Sequence, residues 1–236
     1  MSTSDDSSVA SESPSDQMFL SSFTTLPVET SYPNLFDGPK PAIIVFDCDW
    51  TLYPFDCHSI VFPPFKQSEI GIIDRDGRWA DPFLQVPKIL GAIVDAEIPI
   101  AFLSRNPCAD SVESLLRVIP LYSAKGTMSL WDAMPNRDYF QAFSNGGQRK
   151  GKGKHFAALQ AASGVDLSKM LFFDDISENI DLAQKDGITA IKVGKYGMTW
   201  SALHEGLTTW RQKLNSAKPL QTSTYGQLQR SQEKGR

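Results

Sequence analysis

The sequence lacks the features that are typical of secreted, membrane-spanning and nucleic-acid-binding proteins. Its three cysteines are odd in number and follow no metal-binding spacing, which favours reduced thiols over disulfides. No apolar run is long enough to cross a bilayer, and no signal peptide is expected. A formal net charge of -4 does not support a general role at nucleic acids or membrane surfaces. We therefore expect a monomeric cytoplasmic or nuclear protein with neither nucleic acid nor membrane as a partner.

Length and composition predict one domain between two tails. The chain has 236 residues, of which 41% are hydrophobic, and this is enough for one core of ordinary size. Residues 1–38 are rich in Ser, Thr, Asp and Pro and cannot bury enough apolar surface to offset the entropy lost on ordering. Residues 216–236 are similarly polar. We predict disorder in both tails and a folded domain over residues 39–215.

Apolar runs alternate with helical patterns through this domain. Buried strands are predicted at residues 42–46, 98–103, 170–173 and 188–193. One helix is predicted to begin at Pro82 or Pro87 and to end at Glu97, and others are predicted at about residues 107–118, 152–163, 177–185 and 199–215. Residues 120–150 are expected to be irregular apart from one short strand near Ala142. This alternation predicts an α/β fold with a doubly wound, Rossmann-like parallel sheet.

A segment with β-like character follows the first predicted strand. Residues 59–62 and 70–73 flank a turn signal at residues 74–77, which predicts a small hairpin or flap. A flap in this position can cover a site at the end of the first strand. We therefore expect no large cap domain.

Polar residues stand at the ends of the predicted strands, where parallel sheets bind ligands. Asp47 and Asp49 follow the first strand, Ser104 follows the second, and Asp174 and Asp175 follow a later one. Paired carboxylates repel each other unless they share a cation, and Mg2+ prefers oxygen ligands of this kind. Asp47 could attack phosphorus, and Asp49 could donate and take up a proton. The pattern predicts magnesium-dependent phosphoryl transfer.

The order and the flanks of these motifs resemble the haloacid dehalogenase-like (HAD-like) phosphatase superfamily. Within it they are most similar to the eukaryotic magnesium-dependent phosphatase family. The similar segments are residues 46–55, with Asp47-x-Asp49-x-Thr51, and residues 63–65, 104–105, 171–175, 179–180 and 197–198. Together they extend over about residues 40–215, which is the whole predicted domain. Several motifs in the correct order are far more specific than the first motif alone.

The resemblance implies a role for each matching acid. Asp47 would be the nucleophile and a ligand of Mg2+. Asp49 would be the general acid and base, and its backbone carbonyl would also reach the metal. Asp174 or Asp175 would complete the metal site, and both are candidates. Thr51 would stabilise the catalytic loop.

The resemblance also implies a set of groups that bind the phosphoryl moiety. The residues in question are Thr51, Ser104, Arg105 and one lysine. In the family this lysine precedes a His-Phe pair by three residues, which selects Lys152 before His155 and Phe156. Lys150 and Lys154 are close alternatives.

The implied substrates are a phosphorylated small molecule or a phosphoprotein, with phosphotyrosine proteins and phosphosugars as the two classes. One alternative is a narrow phosphosugar phosphatase, and another is a non-catalytic phosphate-binding scaffold that is recruited through its tails. The presence of both Asp47 and Asp49 argues against the scaffold. Taken alone, Asp174 and Asp175 could equally be helix caps, but the presence of Asp47 and Asp49 in the same chain favours a site. Cys48 is expected to point into the core.

Overall fold

The structure is a computed structural model that describes residues 32–57, 59, 61–144 and 151–216. Most of both predicted tails lies outside these residues, as does Lys150. The strands are β1 (Ile43–Phe46), β2 (Lys66–Ser68), β3 (Gly71–Ile73), β4 (Ile100–Ser104), β5 (Pro120–Ser123), β6 (Gly126–Ser129), β7 (Phe140–Ala142), β8 (Met170–Asp174) and β9 (Thr189–Lys192). The helices are α1 (Val86–Asp95), α2 (Ala109–Leu116), α3 (Leu130–Ala133), α4 (Gly153–Ser163), α5 (Ser177–Lys185) and α6 (Trp200–Ser216).

Five parallel strands form the central sheet in the order β7-β4-β1-β8-β9. The chain passes from β1 outward to β4 and β7, and then returns to β8 on the other side of β1. The strand order therefore reverses beside β1, and open α/β sheets bind ligands at such a switch point. The prediction of an α/β fold with a parallel sheet is confirmed.

Helices cover both faces of this sheet. Ile43 and Val45 of β1 belong to the same buried cluster as Phe156 of α4 and Ile180 of α5. On the opposite face, Gly206 of α6 lies so close to the Phe173 ring that a Cβ atom there would meet it at 2.6 Å. A strand that is covered on both faces should be apolar throughout, and all four residues of β1 are buried.

The three central strands bring their ends to the same level. Phe46 of β1 pairs with Phe102 of β4 and with Phe173 of β8. The rings of Phe46 and Phe173 stack with centroids 5.6 Å apart, which fixes an aromatic layer directly beneath the strand ends. The residues that follow this layer on β1 and β8 are Asp47 and Asp174. They therefore leave the sheet side by side.

The predicted irregular segment contains more structure than expected. Besides β7, which is close to the predicted strand near Ala142, it holds the antiparallel hairpin β5–β6, the helix α3 and a 3₁₀ turn at Arg137–Tyr139. The expectation of irregular structure was wrong because β5 and β6 are short and, apart from Leu121, only half-buried or exposed. Such strands produce neither an apolar run nor a clear alternation.

The flap is present, and one of its two predicted strands is confirmed. β3 lies within the predicted residues 70–73, but its partner is β2 and not the predicted residues 59–62. The N–H of Phe62 donates to the Asp74 carboxylate at 3.0 Å and does not join a strand ladder. Asp74 also accepts from the N–H groups of Asp76 and Arg78, which closes the predicted turn. Across the residues described, the flap is accompanied by no large cap domain.

No helix in the described ranges combines the length and the apolar character needed to cross a membrane. The longest of them, α6, buries Leu203, Leu207 and Trp210 along one side and exposes charged residues on the other. This pattern is typical of a helix that packs against a sheet.

Gly91→Ala should destabilise the fold, because α1 packs directly against the backbone of β5. A Cβ atom at Gly91 would lie 1.9 Å from the carbonyl oxygen of Tyr122. Relief of this clash requires a backbone shift, and we expect a loss of about 1–3 kcal/mol in the free energy of unfolding by denaturant titration. The control is Gly153→Ala in α4, where a Cβ atom would meet only Asp186 at 4.0 Å. That change should be neutral or stabilising, and equal losses in both variants would contradict the packing argument.

Candidate active site

Lys152 lies at the centre of the polar groups on the carboxyl edge of the sheet. Its side chain is buried, and its Nζ makes a hydrogen-bonded ion pair with the carboxylate of Asp47. Nζ also lies 3.0 Å from Asp174 Oδ2 and donates to the carbonyl of Leu103 at 2.8 Å. An ammonium group has three N–H donors, so all of them have acceptors here. One side chain therefore joins the ends of β1, β4 and β8.

The charges around Lys152 keep it protonated. Burial alone would lower the pKa of Lys152, but the carboxylates of Asp174 and Asp47 outweigh that effect and raise it above its usual value. Burial raises the pKa of Asp47 well above its ordinary range, although Lys152 opposes the shift. The site therefore contains a permanent cation beside a carboxyl group that is costly to ionise.

His155 fixes the start of the helix that carries Lys152. Its Nε2 lies 2.9 Å from the carbonyl of Ser104 and 3.0 Å from that of Phe143, and its ring stacks on the Phe143 ring. Both partners are acceptors, so Nε2 must carry the proton. Burial lowers the pKa of His155 to about 4, and the nearby Lys152 acts in the same direction. The neutral imidazole thus holds α4 against the end of β4.

Three carboxyl groups form a cluster that fits a metal ion. Oxygen atoms of Asp47, Asp174 and Asp175 all lie within 4.8 Å of one another. Lys152 balances only part of their negative charge, and uncompensated buried charge is costly. A divalent cation would balance the remainder, and ligands that offer only oxygen suit Mg2+.

Asp174 and Asp175 differ in their surroundings. Asp174 is fully buried, and its two oxygens accept hydrogen bonds from Asn179 Nδ2 at 2.9 and 3.0 Å and from Ile176 N at 2.7 Å. Asp175 is half-buried, and burial together with the charge of Asp174 raises its pKa. Asp174 is thus fixed in orientation, whereas Asp175 is more accessible.

Asp49 lies outside this cluster and is held by two donors. Its Oδ2 accepts from Asn106 Nδ2 at 2.8 Å, and its Oδ1 accepts from the backbone N–H of Cys57 at 3.2 Å. Burial raises the pKa of Asp49, and the hydrogen bond from Asn106 opposes that shift. A carboxyl group with a raised pKa can hold a proton closer to neutral pH and donate it.

The remaining predicted residues lie around these acids. Thr51 is buried, its carbonyl accepts from Met198 N at 2.9 Å, and its hydroxyl has no hydrogen-bond partner among the described residues. Ser104 is buried, and its Oγ accepts from Asn106 N at 3.0 Å. Arg105 is half-buried and makes no ion pair with the four acids in the part of the chain that is described. Lys154 is exposed.

The comparisons with known proteins agree with this geometry. Residues 39–213 match the family model described as Acid Phosphatase. The chain is 31% identical over 171 residues to magnesium-dependent phosphatase 1 of Homo sapiens, with 72% of this chain and 87% of the human protein covered. It is 28% identical over 155 residues to a HAD-like hydrolase superfamily protein of Schizosaccharomyces pombe, with 64% of this chain and 85% of the yeast protein covered. The chain belongs to the magnesium-dependent phosphatase 1 family of the HAD superfamily.

This membership confirms the family that the sequence predicts, and with it a magnesium-dependent phosphatase of the HAD type. The acidic cluster is consistent with Mg2+ as the metal, because it offers carboxylate oxygens from two neighbouring strand ends.

Two residues of this HAD-type site were not predicted to be functional. Asn106 holds Asp49, and Asn179 holds Asp174. In the sequence, Asn106 stands two residues beyond Ser104, and Asn179 lies in the first turn of α5. Asparagine is common in turns and near helix starts for purely local reasons, so Asn106 carries no distinct signal. Asn179 belongs to the family-like segment 179–180, but the resemblance gave it no role.

His155→Gln should flatten the pH dependence of stability between about pH 6.5 and pH 4. The pKa of His155 is about 4 in the folded protein and that of a free histidine is about 6.5. Between these values the unfolded chain binds a proton that the folded protein does not, so wild-type stability falls as the pH falls. Denaturant titrations across this range should show that part of the slope missing from the variant. His204→Gln, which removes an exposed histidine of α6, is the control. Parallel slopes for wild type and His155→Gln would contradict the assignment.

Proposed function

We propose that this protein hydrolyses phosphomonoesters through a phosphoryl group carried on Asp47. The observation that carries the proposal is the position of Asp47, buried at the end of the central strand beside Lys152, with Asp174 and Asp175 within reach of a shared cation. A carboxylate in such surroundings is oriented, screened from water and paired with positive charge.

In the first step, the carboxylate of Asp47 attacks phosphorus and the bond to the ester oxygen breaks. The departing oxygen takes a proton from Asp49 and leaves as an alcohol. The raised pKa of Asp49 favours the protonated form that this step needs. The products are the free alcohol, an aspartyl-phosphate at position 47 and an ionised Asp49.

In the second step, water replaces the carboxylate on phosphorus. Asp49, now ionised, takes a proton from the attacking water, and the bond between phosphorus and Asp47 breaks. Inorganic phosphate leaves, and both acids return to their starting states. Asp49 therefore serves as an acid and then as a base, which requires that its position be the same in both steps.

The residues that would hold Mg2+ are Asp47, Asp174 and Asp175, together with the backbone carbonyl of Asp49. When bound, Mg2+ lowers the repulsion between the carboxylates and the phosphoryl oxygens. Asn179 keeps both oxygens of Asp174 in place, so that residue is oriented before a metal arrives. The carboxyl group of Asp49 stays free for proton transfer.

The phosphoryl oxygens would be bound by the hydroxyl of Ser104 and by Lys152, which would give up one of its present acceptors to donate to them. Because Ser104 Oγ already accepts a hydrogen bond from Asn106 N, its own hydrogen remains available to a ligand. Thr51 would support the loop from Asp47 through its bond to Met198 N. Arg105 would contribute charge from the periphery, since it is only half-buried.

Asp47→Asn should abolish hydrolysis of an aryl phosphate in the presence of Mg2+. The amide has the same shape but cannot form the covalent intermediate, so a loss of at least about 10³-fold in kcat is expected. Removal of Mg2+ by a chelator should abolish wild-type activity in the same assay. The control is Asp166→Asn, an exposed acid before β8 at the opposite edge of the sheet. Activity that survives both Asp47→Asn and chelation would disprove the mechanism.

Two exposed apolar side chains favour aryl phosphates, such as phosphotyrosine, over phosphosugars. Trp50 directly follows Asp49 and is 47% exposed, and Ile176 directly follows Asp175 and is 36% exposed. The φ angle of Trp50 is 59°, in the left-handed region that bulky residues rarely adopt. A tryptophan held in this conformation beside the proposed acid offers an aromatic surface to an aromatic leaving group. The small flap leaves room for a large substrate.

Trp50→Ala should raise KM for phosphotyrosine peptides by about 5–10-fold, which corresponds to the loss of one aromatic contact. KM for sugar phosphates should change less, because a sugar ring has no aromatic π-system to stack on the indole. The control is Tyr122→Ala, which removes a similarly exposed aromatic side chain from β5. An equal rise of KM for both substrate classes would argue for a general effect on the loop, and wild-type preference for sugar phosphates would support the narrow phosphosugar phosphatase instead.

A further inference from the structure

Asn106 is a buried residue whose side chain is not assigned a part in the two steps above. It lies two residues beyond β4 and is 5% exposed. Its Oδ1 accepts from Cys108 N at 2.9 Å, and its Nδ2 donates to Asp49 Oδ2 at 2.8 Å. A backbone N–H can only donate, so the bond from Cys108 determines which end of the amide faces Asp49. The side chain therefore presents a donor to the carboxyl group.

The carboxyl group of Asp49 is held from two directions. Its other oxygen accepts from the N–H of Cys57, which lies between β1 and β2, at the longer distance of 3.2 Å. The Nδ2 atom of Asn106 also lies 3.4 Å from Asp56 Oδ1, in the same segment. Asn106 thus links Asp49 both to the end of β4 and to the chain that leads into the flap.

The backbone of Asn106 has a separate contact. Its N–H donates to Ser104 Oγ at 3.0 Å, and this bond does not involve the side chain. Replacement of the side chain should therefore leave the hydroxyl of Ser104 in place while it removes the donor to Asp49. The two contacts can be separated by experiment.

We propose that Asn106 is a positioning residue that holds Asp49 in the orientation required for proton transfer to the leaving group. This inference rests on the proposed function, because it assigns Asn106 to the same acid. Without the amide, the carboxyl group loses its hydrogen bond of 2.8 Å from Asn106 and can rotate away from the ester oxygen. A displacement of about 1 Å at a reacting group can cost about 10²-fold in rate.

The dependence on the leaving group distinguishes this role from a structural one. A basic leaving group, such as phenolate, needs a proton as its bond to phosphorus breaks, whereas dinitrophenolate leaves without one. A misplaced acid therefore slows esters of weakly acidic phenols and spares esters of strongly acidic ones. A general loosening of the site slows all of them equally. The value of kcat/KM reports formation of the phosphoenzyme, which is the step in which Asp49 donates.

The test is hydrolysis of phenyl, 4-nitrophenyl and 2,4-dinitrophenyl phosphate by wild type and Asn106→Ala with Mg2+. We expect kcat/KM of the variant to fall by about 30–100-fold for the phenyl ester and by less than about 3-fold for the dinitrophenyl ester. Asn136→Ala is the matched control, because Asn136 is exposed and its side chain accepts only from Asp138 N, before the 3₁₀ turn. It should leave all three values unchanged.

Two further variants keep the test decisive. Asn106→Leu keeps the volume of the side chain and adds no charge beside Asp49 and Asp56, so it fills the space even if Asn106→Ala does not fold, and it should show the same dependence on the leaving group. In an Asp49→Asn background, Asn106→Ala should change kcat/KM for 4-nitrophenyl phosphate by less than about 2-fold, because the acid it serves is already absent.

Equal losses across the three esters, or a full additional loss in the Asp49→Asn background, would overturn the role of Asn106 while leaving the proposed function intact. Absence of hydrolysis of all three esters by wild type with Mg2+ would instead overturn the proposed function, and the role of Asn106 with it.

Discussion

The ammonium group of Lys152 is the contact on which the geometry of the site depends. Its three acceptors come from the ends of three different strands, and Lys152 itself stands at the start of α4. These four elements are distant in sequence, so the ion cluster sets their relative positions more directly than any local contact. Loss of one partner from a buried ion pair commonly costs about 3–5 kcal/mol, because the remaining charge has no compensation. We therefore regard Lys152 as a structural residue of the fold, in addition to the phosphate-binding role proposed for it.

The buried acids around Lys152, together with Asp49, lower the stability of the folded protein. Burial raises the pKa of Asp47, Asp49 and Asp175, so ionisation of each is unfavourable in the protein alone. A hydrophobic replacement of similar volume would be expected to cost nothing or to stabilise. Polar atoms that lack partners among the described residues occur nearby as well, at Thr51 Oγ1 and His155 Nδ1. Such a concentration of unfavourable features at a strand switch point is typical of a site selected for chemistry.

The sequence predicted the strands whose residues form uninterrupted apolar runs. It failed where no such run is present. β1 and β8 were predicted because their buried residues form uninterrupted apolar runs. β5 and β6 were missed because they are short and, apart from Leu121, not buried. For the site, the order of the motifs indicated the acids. The contact between Lys152 and Leu103 could not be predicted, because it joins residues 49 positions apart. Asn106 could not be recognised for the same reason, since its contact with Asp49 joins residues 57 positions apart.

Ser104 is the point at which the two halves of the proposed mechanism meet. Its hydroxyl accepts from the N–H of Asn106, whose side chain holds the acid, Asp49. Its carbonyl accepts from His155, which places the start of α4 and hence the lysine beside the nucleophile. Asp49 and Lys152 therefore both depend for their position on Ser104, the last residue of β4. A shift of that strand end would displace the acid and the lysine together. In the proposed mechanism Asp49 acts both when the phosphoryl group is transferred to Asp47 and when it is released, so a common anchor would keep the distance between the acid and the lysine constant through the cycle.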